Sequence, residues 1–179
     1  MKSCIIDTET TNLISNSGMA LEKQPRIIEF SGLLIEDDGT VIDQLDFLCN
    51  PGIQISAEIT KITGLTNNDL KDKAPFKDHA DKVMDFINKG DAVVAHNLSY
   101  DYSLVNFELE RIGFREVFAW PSVKICTVEA TEYIKGFRLS LTALHEYLFG
   151  MAFTGAHRAA EDVKALAKCY VELRNRGVI

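Results

Sequence analysis

Several things are scarce or missing in this 179-residue chain, and each absence narrows the reading. No apolar run approaches the roughly 20 residues that a membrane-spanning helix needs. There is no C-x-x-C pair: Cys4, Cys49, Cys126 and Cys169 are scattered, three of them inside apolar segments. That distribution predicts reduced, buried thiols in a cytoplasmic protein and argues against structural zinc. Positive charge is in deficit, with 19 Lys and Arg against 26 Asp and Glu, a formal net charge of −7. Tight gripping of long duplex DNA depends on many cationic contacts to phosphate, so this balance opposes it. It does not oppose binding a short strand end through metal ions. Repeats, low-complexity stretches and linkers are also missing, so a single domain over residues 1–179 is expected. A chain of this size buries roughly 70% of its unfolded surface. The first strand is expected within three residues of Met1, which leaves no room for a signal peptide.

What is present is ordinary for a soluble globular protein, 46% hydrophobic and 25% charged. Cys4-Ile5-Ile6 predicts a short buried strand, closed by Asp7-Thr8-Glu9-Thr10. Residues 13–24 read as a loop carrying Ser15, Asn16, Ser17 and Gly18. A strand over 26–35, an Asp38-Gly39 turn and a return over 41–49 make an antiparallel pair. Ser56 is placed to cap a short helix that Gly64 ends, and Thr66 or Asn67 to cap another small turn. Pro75 suits a first helical turn, after which Phe76, Ala80, Val83, Met84 and Ile87 keep helical spacing up to Gly90. Ala92-Val93-Val94-Ala95 has the unbroken apolar character of a strand buried on both faces in a parallel arrangement. Ser99 can cap a helix reaching about Ile112. A strand over 123–127, helices over 127–135 and 140–149, a loop over 150–156 and a last helix over 158–176 complete the chain. Three strands in hairpin style followed by alternating helix and strand give an α/β fold, a mixed sheet with helices on its faces.

Side chains two apart on a strand share a face, so Asp7 and Glu9 point the same way. Two adjacent carboxylates repel unless one is protonated or a cation sits between them. A hard divalent ion with oxygen ligands, Mg²⁺ or Mn²⁺, is the usual solution, and two solvated acids are the plain alternative. Asp101 falls in the first turn of a helix that follows a buried strand. An acid there is favoured by the helix macrodipole alone, yet open α/β sheets also build their sites beyond the carboxyl ends of strands. On the last helix, Asp162 lines up with the apolar stripe Leu166, Cys169 and Leu173, whereas Glu161 lines up with Ala165, Lys168 and Glu172. An acid on a buried stripe needs a partner, so Asp162 is the better ligand and Glu161 is expected to be solvated. Of the histidines, His79 is expected at the surface, His145 as a packing residue and His96 as the end of its strand. His157, in a loop just ahead of Asp162, can move in and out, which suits a general base, with an ordinary loop histidine as the plain alternative.

The pieces Asp7-Thr8-Glu9-Thr10-Thr11, His96-Asn97-Leu98-Ser99-Tyr100-Asp101 and the H-x-x-x-x-D from His157 to Asp162 resemble the DEDDh exonucleases. This is the DnaQ-like family, which includes the proofreading subunit of the bacterial replicative polymerase. Ile62-Thr63-Gly64-Leu65 and Ala74-Pro75-Phe76 are similar to further family segments, and the pieces run in family order along nearly the whole chain. The resemblance implies an RNase H-like α/β fold, a mixed five-stranded sheet with a three-strand antiparallel meander plus parallel strands. It implies that Asp7, Glu9, Asp101 and Asp162 bind two divalent metal ions, Mg²⁺ or Mn²⁺. His157 would be the general base, with Glu9 beside it in the catalytic set. Thr10 and Leu13 would lie against the terminal nucleotide and Asn97 near the substrate. Two departures touch the nucleotide pocket: Asn12 stands where the family commonly has Gly, and Tyr100 where Phe is usual. Asn also tolerates a positive φ.

The function so implied is 3′–5′ removal of nucleoside 5′-monophosphates from nucleic-acid ends. The D-T-E-T opening looks more like the proofreading branch, which favours single-stranded DNA. An RNA-trimming or oligoribonuclease-type enzyme is the alternative, since telling the sugars apart depends on contacts to the 2′-OH. A non-catalytic module gripping strand ends or a polymerase would lack one of the five residues, and all are present. A phosphodiesterase of short dinucleotides would suit the acidic charge. With the chain ending at Ile179 directly after the last helix, a polymerase partner is expected to engage a surface or to need another chain rather than a tail.

Overall fold

The computed structural model describes residues 1–14 and 20–179. The centre of the expected 13–24 loop, with Ser15 to Gly18, lies outside the described residues, and its far end winds into a 3-10 turn, Leu21–Lys23. Five strands form one sheet in the order β3-β2-β1-β4-β5. β1 (Ser3–Thr10), β2 (Ile27–Ile35) and β3 (Val41–Leu48) are the antiparallel meander; β4 (Ala92–Ala95) and β5 (Val123–Cys126) add parallel to β1. The mixed sheet expected from the sequence is the one observed, with boundaries within a residue or so.

Alternation along β1 divides the interior into two cores. Cys4 and Ile6 join Phe30, Leu34, Val93 and Ala95 beneath α3 (Ala80–Ile87) and α4 (Leu98–Arg111). Ile5 joins Leu33, Ile35 and Val94 beneath Val163, Leu166 and Tyr170 of α7 (Ala159–Asn175). β2 is buried along its whole length because helices cover both of its faces. Gly32 makes that cover possible: a Cβ there would stand 2.5 Å from the Phe86 ring. α1 (Ala57–Thr63) and α2 (Asn67–Leu70) take the caps expected of them. Ser56 accepts from the Ile59 N–H, Gly64 is left-handed, and Thr66 forms a capping box with Asp69. α5 (Thr127–Lys135) follows β5 directly, and α6 (Leu141–Phe149) packs Leu144 and Leu148 against Cys169 and Leu173 of α7.

Local expectations fail at two helix starts. The helix expected over 76–90 breaks at His79, between a 3-10 turn (Phe76–Asp78) and α3. The His79 ring stacks on Phe47 at 4.0 Å, and its Nε2 is buried without a hydrogen-bond partner, so this histidine is not the surface residue expected. α4 starts two residues earlier than Ser99 capping requires. Asn97 takes the N-cap position in the left-handed region, φ 77°, which Asn tolerates. The cysteines are all free; Cys4, Cys49 and Cys169 are buried and Cys126 is half-buried. No helix among the described residues is long and apolar enough to cross a membrane.

Candidate active site

β1 runs beyond its pairing with β4, which ends at Ile5 and Val94. Asp7 and Glu9 therefore project past the carboxyl end of the parallel strands, on the face that α7 covers. Asp162 lies in the first turn of α7 on a stripe whose other members, Leu166, Cys169 and Leu173, are all buried. Packing of that stripe turns the Asp162 carboxylate toward β1. One oxygen from each of Asp7, Glu9 and Asp162 lies within 4.8 Å of the others. Glu161 points the other way and pairs with Lys164 at the surface, 2.8 Å apart.

Asp101 reaches the same end of the sheet from the opposite side. It is buried in the first turn of α4, and its Oδ1 accepts from the Thr8 hydroxyl at 2.8 Å. It is not one of the trio within 4.8 Å, but its charge bears on them. Removal of the site from water, followed by the charges of Asp101, Asp162, Glu9 and Glu29, raises the Asp7 pKa well above the carboxylate range. The same causes, burial first and then Asp162, Glu29 and Asp101, push Glu9 up to about 8. Burial lifts Asp101 to about 7 against the opposing Thr8 hydrogen bond. Burial also lifts Asp162 to about 6, against the His157 N–H. Among the described residues none of these four acids forms a salt bridge with Lys or Arg. A cluster of carboxyls without a salt-bridge partner that resist ionising together is a fit for hard divalent cations.

His157 is exposed at the rim, in the left-handed region at φ 69°, and its backbone N–H donates to Asp162 Oδ2 at 2.9 Å. Thr10 is buried; its hydroxyl donates to the Asn12 carbonyl at 2.7 Å and lies 3.0 Å from Tyr100 Oη. Tyr100 Oη also lies 3.1 Å from the Asn12 carbonyl, so the two departures from the family pattern meet each other. Asn12 does not use a positive φ; its side chain instead accepts from the Leu13 N–H at 2.8 Å. Leu13 itself is 76% exposed. Asn97 Oδ1 accepts from Arg138 at 2.8 Å, which brings a cation beside the start of α4.

The other two buried histidines have structural bonds. His96 Nε2 donates to the Leu139 carbonyl at 3.0 Å, leaving Nδ1 to accept from Thr127 at 2.9 Å. Burial holds its pKa near 4, so the ring is neutral. His145 donates to the Met151 carbonyl at 2.8 Å, as a packing residue should. Glu29 and Arg158, bound to each other beside the acids, are the pair that sequence reasoning missed. The available signal was a lone charge inside the buried run Ile27-Ile28-Glu29-Phe30, which demands a partner.

Comparison with known proteins identifies the family and the fold. The DNA polymerase III subunit epsilon of Buchnera aphidicola subsp. Acyrthosiphon pisum is 31% identical over 172 residues, 95% of this chain and 71% of that protein. The 3′-5′ exonuclease DinG of Bacillus subtilis (strain 168) is 30% identical over 172 residues, 94% of this chain. The chain spans only 17% of the length of that DinG. The nuclease domain of 3′hExo, a DEDDh family member bound to rAMP, superposes with a TM-score of 0.75 at 21% identity, covering 99% of this chain and 93% of that one. Exonuclease X in complex with 5′ overhanging duplex DNA gives 0.68 at 24% identity, over 98% and 93% of the two chains. These superpositions identify the fold as RNase H-like. An exonuclease family model, RNase T, matches residues 4–170, and on that match the chain belongs to the DnaQ-like exonucleases of the DEDDh group.

Proposed function

We propose that the chain is a metal-dependent 3′–5′ exonuclease that releases nucleoside 5′-monophosphates from single-stranded DNA ends, with residues 1–179 acting as one cytoplasmic domain. The observation that carries this reading is the convergence of Asp7, Glu9 and Asp162 within 4.8 Å, with no Lys or Arg salt-bridged to them among the described residues. Asp7, Glu9, Asp101 and Asp162 would hold two divalent ions, Mg²⁺ or Mn²⁺. When bound, such ions supply Lewis-acid stabilisation of the phosphate and acidify water.

The chain's own groups do the rest. His157 takes the proton from the attacking water, a contribution typically worth about 10²–10⁴ in rate. Glu9 doubles as ligand and as an acceptor that orients this water. Thr10, fixed by Asn12 and Tyr100, and exposed Leu13 form the seat of the terminal nucleotide. Asn97, with Arg138 bound to it, offers polar and cationic groups to the incoming strand. His157→Ala is expected to retain Mn²⁺ binding in calorimetry while turnover falls by about 10²–10⁴.

DNA is favoured because two relatives that the chain covers over 71% and 69% of their length are both named DNA polymerase III subunit epsilon. A polymerase partner belongs to the same reading. RNA is the second reading, supported by fold neighbours bound to rAMP and to a histone mRNA stem-loop. Digestion of 5′-labelled DNA and RNA oligomers with Mg²⁺, Mn²⁺ or EDTA tests both. A ladder shortening from the 3′ end of DNA, absent with chelator, is expected; faster shortening of RNA would reverse the substrate order.

A further inference from the structure

Glu29 lies on β2 directly opposite Glu9 of β1 and is 5% exposed. It lies beside the acid cluster without being one of the trio, and it has its own cation. Arg158 grips it with two prongs, Nε to Oε2 at 3.1 Å and Nη2 to Oε1 at 3.0 Å. Glu29 Oε2 also accepts the Ala159 N–H at 3.3 Å. The first turn of α7 has no cap from its own N-cap side chain, so a carboxylate from the sheet serves that end.

The bonds meet at one short stretch of chain. His157 immediately precedes Arg158 and holds a left-handed backbone, φ 69°, which is uncommon for a residue with a side chain. On one side its N–H is tied to Asp162; on the other the Arg158–Glu29 grip anchors the next residue to the sheet. Asp162 needs no such anchor, since α7 is seated by Val163, Leu166 and Tyr170 against β1, β2 and β4. We propose that Glu29 and Arg158 are positioning residues: a charged latch between β2 and the start of α7 that seats His157 over the acid cluster. This rests on the reading of His157 as general base.

The test is a double-mutant cycle in the intact protein. Glu29→Gln places an amide N–H where Arg158 needs an acceptor, and Arg158→Lys keeps the charge but removes the fork. Arg158 is 45% exposed, so its lysine variant is expected to fold even should the Glu29 variant fail to. Each change is expected to lower kcat on a 5′-labelled oligonucleotide by up to about 10²-fold, the effect of an ångström-scale misplacement. KM and Mn²⁺ affinity are expected to stay the same. In a His157→Ala background both changes are expected to be nearly silent, because the residue they serve is gone. If His157→Ala lowers the rate and the latch substitutions then lower it again by their full factor, the latch is wrong while the general-base reading stands. If His157→Ala changes nothing, both fall together. Loss of Mn²⁺ affinity in Arg158→Lys would assign the pair to the metal site and overturn the proposal.

Discussion

Glu108 on α4 and Glu9 on β1 are acids withdrawn from water near opposite ends of the Arg26-to-Phe30 stretch, and the chain treats them differently. Glu108 accepts the Ile27 N–H at 3.0 Å and lies 3.1 Å from Arg111. Arg111 in turn donates to the carbonyls of Leu21, Gln24 and Pro25, at 3.0, 2.9 and 3.1 Å. That corner is closed: the chain supplies its own counter-charge, and the ion pair staples the 21–25 segment to a helix. At the other corner Asp7, Glu9 and Asp162 face one another, and Asp101 adds its field from α4. No cationic side chain among the described residues is salt-bridged to them. A buried charge with an internal partner is architecture, whereas a buried group of like charges without one is a request for an outside ion.

The comparison predicts opposite outcomes for removing an acid at the two corners. At the open corner Asp7→Asn is expected to abolish nuclease activity and weaken Mn²⁺ binding, yet raise the melting temperature in EDTA by relieving repulsion. A lower melting temperature in EDTA would mean that the carboxylate is satisfied within the fold. At the closed corner Glu108→Ala leaves Arg111 buried without its partner, an effect of about 3–5 kcal/mol in denaturant unfolding. Mn²⁺ affinity of the folded variant is expected to be unchanged.

Acid titration sharpens the contrast. Glu9 near 8, Asp101 near 7 and Asp162 near 6 all lie above the unfolded carboxylate range around 4. The metal-free folded protein thus binds more protons than the unfolded chain between these values. Stability from these groups is full below about pH 4 and is lost as pH rises through 6 to 8. Surface acids such as Asp37, Asp43 and Asp69 have lowered values and titrate below this window. Unfolding in EDTA is expected to become easier from pH 5.5 to 8.5, and saturating Mn²⁺ is expected to flatten or reverse the trend. The smallest effect concerns the pocket rather than the charges. Tyr100→Phe removes a hydroxyl shared with Thr10 and Asn12, and about 0.5–1.5 kcal/mol of stability should go with it. Chemical turnover at saturating substrate is expected to stay as it was.

Much of this was legible before any coordinates. The period of two along β1 puts Asp7 and Glu9 on one face, and the helical stripe through Leu166, Cys169 and Leu173 selects Asp162 over Glu161. Both inferences work because side-chain direction in a regular element depends only on local backbone geometry. The break at His79 and the left-handed Asn97 were not legible, because each depends on a contact or a turn that local periodicity does not encode.

By itself the sequence determines the strands and helices, their buried faces and which acids those faces carry, since burial of apolar side chains repeats with the period of each element. Only the tertiary structure decides which acids meet. It brings Asp7, Glu9 and Asp162 to one point, holds Asp101 on Thr8, and gives Glu29 an arginine 129 residues away. The reason is that pairing between distant charges is set by sheet order and helix docking, and Coulomb energy depends on distance in space and not along the chain.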